Sequence, residues 1–352
     1  MRKRRAFTLV ELLTVIFIIS LLIAILVPSL SAARSQAKRA ATAQAIKAIE
    51  TGLEMFRQDN DKDFARTNGY PPSFSYPGSF GTGHTFDADL GESPFHQDRR
   101  VMYGAMWLPA MLMGFDQLGY IKPSSVTNKN ELRSKPEEWY RPDPLGDQEI
   151  QLSRSPFYVD PDTTRTLKIR NLPGRAPDWW RSESGFDTIG GIQDMPVIVD
   201  SFDYPLLYYV AHRNGRASNM VEDEINKDNE YDNGPQGEGP PYYFHNDNHG
   251  FTGHSENGSV EEEGWNFNDV HPIAESGGNY TAADMVDEQK PFSFAKYVLD
   301  RKILRDLRGQ VTPNANAPLR PVNSDSFLLI SPGPDGKYGT TDDVSNMPAF
   351  LE

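Results

Sequence analysis

The first thirty residues constrain the fold more than any other part of the chain. Four basic residues, Arg2–Arg5, precede an apolar segment in which Leu12–Leu30 carries no charged side chain. At about 1.5 Å per residue these nineteen residues form a helix of about 28 Å, close to the thickness of a bilayer's hydrocarbon core. Because a helix satisfies its own backbone hydrogen bonds in lipid, the segment is predicted to span a membrane. The basic cluster predicts that the N-terminus is cytoplasmic and that the remainder is exported.

Two details distinguish this segment from a secretory signal. Such a signal has a shorter apolar core with small residues at a cut site beyond it. Here the small residue, Ala6, precedes the apolar run, and the far end continues into a helical pattern. The second detail is Glu11, a carboxylate near the start of the run. An ionisable group at that depth is costly, which indicates a functional role.

The stretch Ala6–Leu13, with its basic leader, resembles the class III signal of type IV pilins and type II secretion pseudopilins. The resemblance implies that prepilin peptidase cleaves between Ala6 and Phe7 and methylates the new amine of Phe7. It also implies that Glu11 pairs with the amine of a neighbouring subunit during assembly. Ala6 stands where the family usually has glycine. The alternative is an uncleaved anchor whose Glu11 lies at the cytoplasmic interface.

The resemblance also implies a location and a set of partners. The protein would be a single-pass inner-membrane protein with a cytoplasmic N-terminus and a periplasmic head, and it would enter a filament after assembly. Its partners would be prepilin peptidase, further copies of itself, other pseudopilins, and the inner-membrane assembly platform with its ATPase. Its role would be structural rather than enzymatic.

A second apolar pattern continues beyond the membrane segment. Ile46, Ile49, Leu53 and Phe56 recur at spacings of three, four and three, which is one face of an amphipathic helix. We therefore expect one helix over residues 7–58, with its first half in lipid or filament core and its second half against the head. The implied fold class is α+β, a pilin-like ladle in which this helix packs on an antiparallel sheet.

The charge of the chain is divided unevenly. Residues 1–58 hold nine Lys or Arg and three Glu, a net charge of +6, and the whole chain has −14, so residues 59–352 carry −20. An acidic exported region excludes nucleic acid as a partner, because phosphate binding needs a basic surface. Without cysteine the region has no disulfide and depends on its core and on any bound metal.

The rest of the chain divides into a leader (1–6), the helix (7–58) and a head (59–352) with insertions at about 73–195 and 211–325. Residues 196–210 are predicted as strand–turn–strand and resemble a hairpin of major pseudopilins at Asp200, Pro205 and Tyr208. Helices are expected over residues 99–118 and 292–307, and short strands over residues 157–159 and 167–169.

The C-terminal segment joins an apolar strand to a Gly- and Pro-rich loop, residues 331–346, that bears Asp335, Asp342 and Asp343. Calcium takes six to eight oxygens from carboxylates and carbonyls, and glycines allow the backbone to turn carbonyls inward. The loop resembles the calcium-binding loop of major pseudopilins, which implies these three aspartates as ligands of a structural calcium ion. The alternative is a solvated acidic turn.

The competing hypothesis is a membrane-anchored extracytoplasmic carbohydrate-binding protein or hydrolase. Trp179 and Trp180 form either a sugar-stacking platform or part of the core. His245, His249 and His254 are potential zinc ligands, although their spacing matches no metalloenzyme motif. The sequence contains no G-x-S-x-G, H-E-x-x-H or P-loop motif, so we predict a protein without catalytic activity.

Overall fold

The computed structural model describes most of the N-terminal helix and the framework of the head. The described residues are 9–60, 67–73, 103–114, 117, 119, 156–182, 192–215, 221–222, 241–256, 259–265, 270–275, 280–310, 314 and 317–348. Ala6 and Phe7, where cleavage is predicted, lie outside them. The boundaries of the insertions stay a prediction.

The predicted N-terminal helix is present as α1, Leu9–Asn60, and it contains Pro28 without interruption. The described helix ends at Asn60. The amide of Asn60 donates to the Phe56 carbonyl at 2.9 Å and to the Tyr158 hydroxyl at 3.2 Å, so it caps the last turn and ties it to the head. The expected apolar stripe is the buried face. Its members, Ile46, Ile49, Leu53 and Phe56, are at most 2% exposed.

The head combines short helices with small sheets. The other helices are α2 (Gly104–Leu112), α3 (Asp178–Arg181), α4 (His249–Thr252), α5 (Phe294–Val298) and α6 (Arg301–Arg308). The strands are β1 (Thr166–Lys168), β2 (Pro196–Ile198), β3 (Leu207–Val210), β4 (Val221–Glu222), β5 (Tyr243–Phe244), β6 (His254–Glu256), β7 (Ser259–Glu262), β8 (Phe327–Ser331) and β9 (Val344–Ser345).

The central sheet has the order β3–β8–β9 and is antiparallel throughout, with Leu207 opposite Ile330 and Ser331 opposite Val344. Antiparallel pairs β1–β2 and β6–β7 and a parallel pair β4–β5 lie outside it. All four residues of β3 and all five of β8 are buried, because α2 packs against β3 and α1 packs against β9. The α+β layout of one long helix and a head with antiparallel sheets is confirmed.

Residues 196–210 form the predicted strand–turn–strand, but the two strands join different sheets. Beyond the tight turn, where the Asp200 amide donates to the Tyr204 carbonyl at 2.8 Å, β2 pairs with β1 and β3 pairs with β8. An isolated antiparallel bridge between Val199 and Pro205 joins the two strands next to the turn. The turn therefore links two layers of the head.

Three local predictions need correction. Residues 157–159 are not a strand: Tyr158 and Val159 form a bend, and the Tyr158 amide donates to the Leu112 carbonyl at the end of α2. Within the region predicted over residues 99–118, the described helix is limited to α2. The helix predicted over residues 292–307 is two helices, because Leu299 bridges to Pro321 and the Asp300 carboxylate caps the start of α6.

We expect Leu53→Ala to destabilise the head by about 2–5 kcal/mol, because it opens a cavity where α1 meets the core. Met55→Ala is the matched control, since Met55 is 48% exposed on the same helix and its loss costs about 0.5 kcal/mol or less. Denaturant unfolding of the full chain in detergent, followed by tryptophan fluorescence, measures both. Equal losses for the two variants would contradict the docking of α1 described above.

Candidate functional site

Glu11 lies in the first turn of α1 and is exposed in the single chain. The polar side chains nearby bond back to the helix. Thr14 donates to the carbonyls of Val10 and Glu11 at 2.9 and 3.0 Å, and Ser20 donates to the Ile16 carbonyl at 2.8 Å. Hydroxyls that are satisfied within their own helix do not need water, so this part of α1 suits an apolar surrounding apart from its one carboxylate.

The apolar side chains of the lower half of α1 are not covered by the described part of the head. Large apolar side chains from Leu9 to Leu30 are exposed by 45–79%, on every side of the helix. Within the described residues, α1 is the one helix whose length and composition would allow it to cross a bilayer, a criterion that signal sequences and some core helices also meet. None of its most apolar window is buried against the head. A helix that is apolar all round needs lipid or other helices as its surroundings.

The C-terminal loop turns at three glycines in the left-handed region, Gly333, Gly336 and Gly339, with φ of 66°, 71° and 96°. Gly333 also permits a close approach, because a Cβ there would lie 2.3 Å from the carbonyl oxygen of Asp342. The two limbs of the loop therefore touch, and the Asp335 amide donates to Asp342 Oδ2 at 3.3 Å. The sequence prediction that carboxylates seven residues apart converge here agrees with this geometry.

The meeting of Asp335 and Asp342 leaves negative charge without a countercharge. Burial raises the pKa of Asp335, and the nearby carboxylate of Asp342 raises it further, while the Lys337 amide opposes the shift. Neither carboxylate has an ion pair with Lys or Arg in the part of the chain that the structure describes. A divalent cation between them would supply the missing charge, and calcium as that cation stays a prediction.

Asp343 is placed differently. Its Oδ2 accepts from the Tyr297 hydroxyl at 2.6 Å and the Gly339 amide at 2.8 Å, and its Oδ1 accepts from the Thr340 amide at 3.3 Å. Burial raises the pKa of Asp343 to about 7. The structure thus brings two of the three predicted ligands together and directs the third towards α5. Its role as a ligand stays a prediction.

No group of three or more His, Asp or Glu side chains lies at metal-holding distance among the described residues. This holds for the C-terminal loop and for the histidines. Calcium differs from zinc in accepting carbonyl and hydroxyl oxygens for most of its shell. Two carboxylates with neighbouring backbone carbonyls are therefore compatible with calcium and insufficient for a zinc site.

Asp200 is the functional residue that sequence reasoning undervalued. Its carboxylate is buried, and Oδ1 accepts from the amides of Phe202 and Tyr204 at 2.7 and 3.0 Å, closing the 200–204 turn. Its Oδ2 accepts from the Ser331 hydroxyl at 2.6 Å, at the start of the C-terminal loop. Burial raises the pKa of Asp200. The sequence offered one signal, an aspartate followed by a polar turn. It did not reveal that Ser331 is the distant partner of this aspartate.

Tyrosines complete the attachment of the loop to this turn. The Tyr338 hydroxyl donates to the Pro205 carbonyl at 2.7 Å, and the Tyr204 ring lies against Gly336 so closely that a Cβ there would approach it to 2.5 Å. The 200–204 turn in turn contacts α1, because the Ser201 amide donates to the Thr42 hydroxyl at 3.2 Å. The loop is therefore connected to α1 through two hydrogen-bonded steps.

The three histidines lie side by side in the head. The ring centroids of His245 and His254 are 6.0 Å apart, and those of His249 and His254 are 5.7 Å apart. Burial lowers the pKa of His245 to about 3, so this ring is neutral, and its nitrogens contact Asn246 and the Ile273 carbonyl. His249 Nε2 lies 2.5 Å from Glu262. The described geometry is that of packed rings with one histidine–carboxylate contact.

The tryptophan pair forms part of the core rather than an open platform. Trp180 is fully buried, with edge contacts to Tyr103 and Phe251 at 5.2 Å. Trp179 stacks on His249 at 4.7 Å, and its indole donates to the Glu263 carbonyl at 2.9 Å. Of the two alternatives, packing in the core is confirmed for Trp180. One face of Trp179 is covered.

Residues 1–27 match the family described as the prokaryotic N-terminal methylation motif. The match includes Ala6, Phe7 and Glu11. A search of curated proteins and a search of solved structures found no match to the chain. The N-terminal segment is therefore type IV pilin-like. This motif implies processing by prepilin peptidase and assembly with other pilin-like subunits, and the apolar helix fits membrane anchoring with the head outside.

We expect Asp200→Ala to lower the free energy of unfolding by about 2–4 kcal/mol, because it removes a buried carboxylate that accepts three hydrogen bonds. Asp203→Asn is the control in the same turn. Asp203 has φ of 76°, which asparagine tolerates, and its ion pair with Arg165 is exposed, so the loss is about 1 kcal/mol or less. Similar denaturation midpoints for Asp200→Ala and the wild type would refute the anchoring role.

Proposed function

We propose that the protein is a structural subunit of a type II secretion pseudopilus or a type IV pilus-like filament. The match of residues 1–27 to the methylation motif carries this proposal. It is supported by α1, whose lower half is apolar on all sides and uncovered by the head. Lipid covers that surface before assembly, and the same surface of further copies covers it in the filament.

Cleavage between Ala6 and Phe7 creates the group that Glu11 needs. The methylated amine of Phe7 is a cation, and Glu11 follows it by four residues, about 6 Å along the axis. A carboxylate among packed apolar helices is strongly destabilising unless it is paired. A neighbouring copy displaced by about one turn brings its Glu11 opposite the amine of Phe7. Charge pairing therefore selects one register among the many that apolar contact alone would allow.

The remaining partners follow from this role. Prepilin peptidase removes residues 1–6, and an inner-membrane platform with a cytoplasmic ATPase drives insertion of each copy into the filament. The head stays on the periplasmic side and has no catalytic role. Other pseudopilins join the same filament, and the choice between a secretion pseudopilus and a pilus rests with those partners.

Calcium is the proposed cofactor, with a structural role. Asp335 and Asp342 would hold it, with Asp343 as the third predicted carboxylate and carbonyls of the 331–338 segment filling the shell. Bound calcium supplies the positive charge that the two adjacent carboxylates lack. It would thereby fix the limbs of the loop against the 200–204 turn.

We expect Glu11→Ala to leave membrane insertion unchanged and to abolish filament assembly, because the Phe7 amine loses its counterion. Glu50→Ala is the control, since Glu50 pairs with Lys47 of its own helix at 2.7 Å and should permit assembly. Membrane fractionation and the yield of sheared filaments measure the two steps. Mass spectrometry of the same preparations should show a chain that begins at N-methylated Phe7. Normal filament yield from Glu11→Ala, or an intact arginine-rich leader in filaments, would contradict the proposal.

We expect calcium to raise the thermal midpoint of the full chain in detergent. Saturation at 100 times the dissociation constant stabilises by about 2.7 kcal/mol, which corresponds to several degrees. Asp342→Asn should abolish the response. Asp325→Asn should retain it, because Asp325 lies outside the loop and pairs with Arg320. A wild-type midpoint that is the same in calcium and in chelator would remove the calcium assignment and leave the filament proposal standing.

A further inference from the structure

Three cations lie on α1 just beyond the membrane segment, between the lipid and the head. They are Arg34, Lys38 and Arg39, here named the basic collar, and they follow Leu30 by four to nine residues. Arg34 and Lys38 are exposed, and Arg39 is partly exposed. The first buried residue of α1 is Thr42. The collar therefore lies at the edge of the head, between the uncovered apolar segment and the buried stripe.

The charges of α1 beside the head have partners, in contrast to the collar. Lys47 pairs with Glu50 at 2.7 Å. Glu54 lies 3.6 Å from Arg57 and accepts from the Tyr70 hydroxyl at 2.6 Å.

Among the residues that the structure describes, Arg34 and Arg39 have no ion pair. The ammonium of Lys38 lies 5.0 Å from the Phe202 ring, a contact that leaves its charge without an anion. Within the described part of the chain, no carboxylate forms an ion pair with the collar.

The position of the collar is also unfavourable for export. Lys and Arg within about 15–20 residues of a membrane segment favour the cytoplasmic side, and the collar is on the opposite side. The leader has four basic residues, Arg2–Arg5, against three in the collar, so the leader sets the orientation during insertion. If the leader is then removed, as proposed above, every Lys and Arg side chain near the membrane belongs to the exported flank. A cost that persists in the mature protein indicates that these cations have a use outside the membrane.

We propose that the basic collar binds carboxylates on the head of a neighbouring copy of this chain. The inference rests on the proposed filament role and adds a second charged contact to the one at Glu11. Charge complementarity supports this occupant, because residues 59–352 carry a net charge of −20.

Geometry supports the same occupant. The apolar part of α1, Leu9–Leu30, is uncovered by the described head, so a copy displaced along the filament axis would present its head near the level of the collar. Lipid phosphates can neutralise the collar before assembly, but that source is lost when α1 leaves the bilayer. Carboxylates of the next head then take their place.

Zero-length crosslinking tests the contact directly. A carbodiimide joins a lysine amine to a carboxylate in contact with it, as an amide with loss of water, and does not act on arginine. In sheared filaments we expect covalent dimers in which Lys38 is linked to an Asp or Glu of residues 59–352 of a second copy. Lys38→Arg keeps the charge and should form filaments without that link. The Lys47–Glu50 link within one chain shows that the reagent has reacted. Filaments that give the Lys47–Glu50 link and no Lys38 dimers would overturn the inference.

Charge reversal provides the second test. Arg34→Glu with Arg39→Glu should lower filament yield by about tenfold or more, because like charges then face each other across the contact. Lys302→Glu with Arg305→Glu is the matched control, since it makes the same change in net charge on the exposed side of α6. Equal yields from both double variants would reject the collar contact. If assembly requires Glu11 but is unaffected by charge reversal in the collar, this inference alone is rejected. If the wild-type protein never assembles, the filament role itself is rejected.

Discussion

The helix α1 has two apolar surfaces that need different surroundings. From Thr42 to Asn60 it presents one apolar stripe, and the head covers it, so that Ile49, Leu53 and Phe56 are fully buried. Below the head it is apolar on every side and uncovered. Burial of apolar surface is the dominant favourable term in folding and association. The upper half therefore folds the head onto the helix, and the lower half remains available to lipid or to other copies. The other features of the molecule depend on this division.

The features that sequence reasoning predicted correctly are local. Hydropathy and the 3.6-residue period predicted the helix that the structure shows over Leu9–Asn60, because amphipathic burial repeats along a helix. The turn after Ile198 and the strand over residues 327–331 followed from apolar runs bounded by Asp, Pro and Gly. The convergence of Asp335 and Asp342 was also predictable, since glycines between them allow the loop to fold back on itself.

The features that sequence reasoning missed depend on partners far along the chain. Asp200 is important because Ser331, 131 residues later, donates to it. Residues 157–159 have a strand-like composition, but a strand needs a free edge, and Tyr158 instead meets the end of α2 and the end of α1. The contact of Asp343 with the hydroxyl of Tyr297 on α5 was likewise not visible in the sequence. Local composition does not encode these contacts, because the tertiary fold brings together residues that are far apart in the chain.

The C-terminal loop and the helix α1 are joined through one set of contacts. The C-terminal loop is held to the 200–204 turn by Asp200 and by the Tyr338 hydroxyl, and that turn is held to α1 at Thr42. Strand β9, which follows the loop, also packs against α1. Any ion that rigidifies the loop would therefore stabilise the position of the head on the helix and leave the lower helix unchanged. Because the basic collar lies directly below Thr42, the angle between head and helix would determine which part of a neighbouring head the collar reaches in the proposed contact. Loop geometry and subunit contact would then be coupled through a few hydrogen bonds.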